Sequence, residues 1–215
     1  MALREKTRGR AVRAPWVAPK LRGLLAGAAL ALVGLLVMVG LGGLGVAGAA
    51  SAADLPEVGA TEVALQSAYS FGISDDVQSV TFFPRVGQVI HVSEGHRPAV
   101  LTFGVEGTFS RIFESSHAME LGGGLLLRYR LALPHVQPYA EVGGAMLYTD
   151  LRGYNLGSRI LFAAQGAVGL QIPLAGEGLA ATGGYRFRHI SNAGQSLNNA
   201  GLESNLLTVG LCYQF

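Results

Sequence analysis

A single cysteine, Cys212, stands in the 215 residues of this chain. That excludes an internal disulfide framework and any zinc site built on cysteine. Charge is scarce as well: 14% of the residues are Asp, Glu, Lys or Arg, against 50% hydrophobic, and the net charge is +2. Such a chain has too few charged groups for an ordinary solvated surface. Much of the basic excess lies in the first twenty-two residues, which leaves no basic face for a nucleic-acid partner. Helical periodicity is weak beyond Asp54, and 31 glycines argue against a helical bundle. His91, His96, His117 and His135 fall near predicted turns, with no pair at metal-ligand spacing on one strand, so no metal centre is expected.

What is present begins with a leader. Residues 4–22 are rich in Arg and Lys and carry no acid after Glu5, and residues 24–50 are almost wholly Leu, Val, Ala and Gly. The run closes on Ala50-Ser51-Ala52, ahead of Asp54 and Pro56. A basic head, an apolar middle and an A-x-A end are the parts of a secretory signal peptide. The expected organisation is therefore a signal peptide over residues 1–52 and one domain over 53–215. A retained transmembrane helix is the competing reading, since the apolar run is long enough to span a bilayer.

The mature part alternates apolar and polar residues. Strands are predicted near 61–72, 77–91, 98–109, 117–131, 136–149, 158–173, 178–191 and 203–215, separated by Gly-, Pro-, Asn- and Asp-containing turns. Pro84 and Gly87 interrupt the second run and make it the weakest of the eight. In the fourth strand Met119, Leu121, Leu125, Leu127 and Tyr129 share one face, while Glu120, Arg128 and Arg130 share the other. Glu106, Glu141, Arg186 and Arg188 take the same polar parity in their own strands. Glycines and opposite charges suit a narrow lumen, and an apolar outer face suits hydrocarbon. The fold expected is an all-β, eight-stranded antiparallel transmembrane barrel of the outer-membrane type. A soluble barrel with an apolar interior is the alternative.

Parity also picks out a cluster. Tyr185, Phe187, His189 and Ser191 share the outward face of the seventh strand, and Glu203, Leu207 and Val209 share that of the eighth. A basic residue on the lipid side costs roughly 2–4 kcal/mol at mid-bilayer and much less near the interface. Three polar groups gathered there invite a functional reading. A serine hydroxyl needs a neighbouring imidazole to take its proton, and the imidazole needs a carboxylate to fix its tautomer. Residues i and i+2 of a strand lie roughly 7 Å apart, so His189 can reach Ser191. Glu203 can approach the other ring nitrogen from the antiparallel neighbour. Asn192, Asn198 and Asn199 are available as oxyanion donors. Spacing and parity alone fit a solvated strand rim equally well.

His189-Ile190-Ser191-Asn192-Ala193-Gly194, followed by Asn199-Ala200-Gly201-Leu202-Glu203, resembles the C-terminal signature of the lipid A 3-O-deacylases of Gram-negative outer membranes. The segment from Gln137 to Gly143 and the stretch Asn155-Leu156-Gly157-Ser158 resemble the family's fifth strand and the approach to its sixth. The likeness runs from about Ala99 to Phe215. Asn198 stands where the family often has proline. The resemblance implies Ser191 as nucleophile, His189 as general base, Glu203 as the acid that orients the histidine, and Asn199 and Asn192 as oxyanion or positioning residues. It implies lipid A, within lipopolysaccharide, as substrate, the outer membrane as location, and no cofactor. A hydrolase of another membrane lipid ester, a non-catalytic structural barrel and a small pore are the rival readings.

Overall fold

The computed structural model describes residues 55–72, 77–94, 98–113, 118–151, 154–174, 178–197 and 199–215. The predicted signal peptide, residues 1–52, lies outside the described residues. Eight strands follow one another: β1 Thr61–Gly72, β2 Gln78–Ser93, β3 Ala99–Ile112, β4 Met119–Leu131, β5 Gln137–Thr149, β6 Ile160–Pro173, β7 Leu179–Ser191 and β8 Leu202–Gln214. Each pairs antiparallel with the next, and β1 pairs with β8, so the sheet closes without an edge. Closure satisfies every backbone ladder internally, the condition for crossing hydrocarbon with strands.

β2 is continuous, although proline and glycine interrupt its sequence. Pro84 sits opposite Leu65 of β1. On the β3 side the ladder passes from Phe82–Phe109 to Arg85–Glu106, stepping over the residue that has no N–H to donate. One extra residue at Ile90 makes a bulge before the strand ends.

The wall turns Leu, Val, Ile and Phe outward, with Leu65, Val105, Leu121, Val142 and Val168 each at least half exposed. Inside, the lumen is filled in layers. Toward the terminal end Val89, Val100 and Ala132 pack with Leu55 and Ala60. Toward the opposite, loop end an apolar plug gathers Val77, Ile112, Leu147, Leu151, Leu156, Leu161, Ile190 and Leu202. Between them lies an ionic layer. Glu141 Oε1 accepts from Arg85 Nη1 at 2.7 Å and Arg128 Nε at 2.5 Å, and its Oε2 accepts from Arg186 Nη2 at 3.2 Å. Arg186 also grips Glu106 through both carboxylate oxygens, at 2.6 and 3.0 Å. Arg188 and Glu120 approach to 3.0 Å as an ion pair, with angles outside hydrogen-bond geometry. The guanidinium groups of Arg128 and Arg186 stack on the rings of Tyr139 and Phe83, each at 4.3 Å. The seven inward charges expected from parity are all buried here, joined by Glu62 and Arg85. Buried charges are tolerable when paired or hydrogen-bonded. Eight of the nine are paired here across the barrel, and Arg130 donates to the amide oxygens of Gln137 and Gln214.

Candidate active site

Strict alternation in the last turns of β7 builds the site. Arg186, Arg188 and Ile190 point into the lumen and are buried, whereas Tyr185 and Phe187 are exposed on the wall and His189 and Ser191 are half-buried there. In the β7–β8 ladder His189 lies directly opposite Glu203, and Ile190 opposite Leu202. The second of these pairs is wholly buried in the apolar plug. The chemistry-bearing pair is thus fixed by its inward neighbours: two hydrophobic anchors hold both ends of the β7–β8 loop while the polar groups face out.

His189 Nδ1 stands 3.7 Å from Glu203 Oε1, with the two side chains 41% and 44% exposed. The separation is longer than a hydrogen bond. With Nδ1 turned to the carboxylate, Nε2 is the nitrogen left for a proton transfer. Ser191 sits one outward position further along β7, opposite Phe162 of β6. Its Cα is about 7 Å from that of His189 by strand rise. Among the described residues Ser191 makes no hydrogen bond to His189, so the structure pairs histidine with glutamate and holds the serine on the same face.

The two asparagines have different surroundings. Asn192 is fully buried. Its Nδ2 donates to the Leu156 carbonyl at 2.9 Å and to Ser196 Oγ at 2.8 Å, and its Oδ1 accepts the Gly194 N–H at 2.9 Å. Its backbone N–H donates to Asn199 Oδ1 at 2.9 Å. Asn192 is therefore the pin of the loop. Asn199 is exposed, and the bond to its oxygen fixes its amide with Nδ2 turned elsewhere. Asn198 lies outside the described residues.

Two further features position the site. The β5–β6 loop supports the β7–β8 loop through backbone carbonyls, Leu156 to Asn192 and Asn155 to the Ala200 N–H at 3.2 Å. A carbonyl acceptor leaves no mark on residue identity. The second is Gly201, whose φ of +72° is left-handed and whose absent Cβ would lie 2.9 Å from His189 Cε1. Only glycine lets the chain pass so close to the imidazole. Among the described residues no group of three or more His, Cys, Asp or Glu is placed to hold a metal ion.

Fold and site together define an integral outer-membrane β-barrel carrying a polar cluster on its lipid-facing wall. The family model for lipid A 3-O-deacylase (PagL) matches residues 90–212, and the chain belongs to that family. The crystal structure of the outer-membrane enzyme PagL is similar, with a TM-score of 0.53 and 20% identity over 68% of this chain and 97% of that one. Neisserial surface protein A is similar too, with a TM-score of 0.51 and 15% identity over 73% and 96% of the two chains. These likenesses establish the barrel fold. No curated protein matches the sequence.

Proposed function

We propose that this protein is an outer-membrane serine esterase that hydrolyses the 3-O-linked acyl chain of lipid A. The observation that carries the reading is the His189–Glu203 pair on the outer wall, with Ser191 beside it on the same face, in a chain of this family. A site facing the bilayer suits a substrate that never leaves it. With both termini in the periplasm the loop end is extracellular, and the site lies at outer-leaflet depth, where lipopolysaccharide resides.

In this reading Ser191 Oγ attacks the ester carbonyl carbon while His189 Nε2 takes the hydroxyl proton. Glu203 holds Nδ1–H and stabilises the imidazolium. The oxyanion is met by the Asn199 Nδ2 amide, which Asn192 keeps in place. Collapse breaks the ester C–O bond, and His189 returns its proton to the departing sugar oxygen, which leaves as the hydroxyl. Water then attacks the acyl-serine, giving His189 a proton that passes back to Ser191 Oγ as a free fatty acid leaves. Side chains and water suffice for each step.

The test is mass spectrometry of lipid A from a Gram-negative host expressing this chain, beside a Ser191→Ala barrel assembled to the same level. Loss of one hydroxyacyl chain with the wild type alone is the expected result, and fragmentation assigns the position. Unchanged lipid A with altered phospholipids would move the reading to another lipid ester. No change in either would favour a structural barrel.

A further inference from the structure

Arg159 is exposed at the loop end of the barrel, where β6 begins, and among the described residues it makes no ion pair. Its carbonyl accepts the Thr149 N–H at 2.9 Å, which ties it to the end of β5. Its Nη1 donates to the hydroxyl of Tyr148 at 3.3 Å. That hydroxyl, having accepted, keeps its own proton to give. Tyr148 is half exposed and lies opposite Ile160. Ile160 is two residues above Phe162, the neighbour of Ser191. The Arg159–Tyr148 pair therefore stands about 7 Å further toward the loop end than the serine, by strand rise. Beside it the β5–β6 loop forms a recess of about 470 Å³ between Tyr154 and Arg159, open to the exterior. The nearby Asp150 is turned away, its Oδ1 accepting the Met119 N–H.

A planar guanidinium and a phenol hydroxyl, convergent and with no acid partner among the described residues, form a donor set for a phosphate group. We infer that Arg159 and Tyr148 hold a phosphate of a glycolipid headgroup and thereby set the acyl ester beside Ser191. The inference rests on the hydrolase reading and names the headgroup chemistry that the same site selects. An arginine merely anchored at the membrane interface would not discriminate between headgroups.

The experiment compares phosphorylated lipid A with fully dephosphorylated lipid A in mixed micelles. Cleavage is followed on wild type, Arg159→Gln and Arg111→Gln, and binding by native mass spectrometry on each in the Ser191→Ala background. Arg111 is the control, an exposed arginine at the same end but on β3, far around the barrel from β7. Wild type and R111Q are expected to favour the phosphorylated lipid about tenfold, and R159Q to treat the two lipids alike. Equal binding of the two lipids by wild type, or a preference that survives in R159Q, would overturn the inference. Phosphate-dependent binding with neither lipid cleaved would support the subsite and count against the hydrolase reading instead.

Discussion

Replacing Gly201 by alanine tests whether the imidazole is held by the shape of the loop beneath it. Gly194 lies in the same loop, with φ of +80°, and has nothing within 4 Å of an added Cβ. An alanine at either position is forced into the left-handed region, at about 1–2 kcal/mol. Both variants should therefore lose a similar, modest amount of loop stability. Only at Gly201 does the new methyl meet His189, at 2.9 Å from Cε1 and 3.5 Å from Nε2. Carbon atoms settle at roughly 3.5–4.0 Å, so the ring has to retreat by about 0.6 Å or more. The edge displaced carries the nitrogen that takes the Ser191 proton in the proposed mechanism. Misplacement on the order of 1 Å can cost about 10²-fold in rate, so G201A should lose roughly 10- to 100-fold in kcat, with KM little changed. G194A should remain within about threefold of wild type, since no reacting group moves. Two assays serve: acyl release from lipid A, and the rate at which a fluorophosphonate labels Ser191, which needs no lipid. Heat-dependent gel mobility checks that each barrel is folded. Wild-type activity in both variants would refute the reasoning, and an equal loss in both would move the cause to the loop backbone.

Three further outcomes follow from the same geometry. Glu203→Gln keeps the shape of the pair but cannot stabilise an imidazolium, and kcat should fall by about 10²-fold or more at unchanged lipid binding; an unaffected kcat would remove Glu203 from the mechanism. Asn192→Ala strands the Leu156 carbonyl and the Gly194 N–H, at roughly 1–3 kcal/mol for each unsatisfied group. Hydrogen exchange should quicken across residues 193–201 while the barrel midpoint holds, and Asn192→Asp should not rescue, because a carboxylate would face a carbonyl. Glu141→Gln leaves three arginines short of charge in the lumen, and breaking a buried pair costs about 3–5 kcal/mol. Its urea midpoint in lipid should drop, and an unchanged midpoint would mean that the ionic layer contributes little to stability.

The strands were legible because a barrel wall has two unlike environments. Hydrocarbon outside and a polar lumen inside force a period of two, which sets the register and makes most of the bounds predictable to within a few residues. β2 is the weakest in sequence because Pro84 and Gly87 interrupt its run, and its inward positions include Phe83 and Val89, so both faces read as apolar and Arg85 does not stand out as inward. Glu62, one residue inside the start of β1, reads as rim. The juxtaposition of His189 and Glu203 was legible for the same reason as the fold, since parity and antiparallel register bring them opposite. The division of labour between Asn192 and Asn199 was not. It depends on which amide the β5–β6 loop buries, and that loop acts through carbonyls that any sequence could supply.

The filled lumen explains where the site is. Among the described residues nine charged side chains and buried apolar clusters pack the interior. The outer wall is the remaining surface, and each strand that reaches it alternates with residues locked inside. Ile190 and Leu202 anchor the plug while His189 and Glu203, one residue further on, face the membrane. The packing that makes the barrel rigid therefore also sets the spacing of the polar groups outside it. In the proposed function such a site gains its order from the lumen and its substrate from the bilayer, so mutations in the plug should lower lipid A deacylation before they disturb the wall.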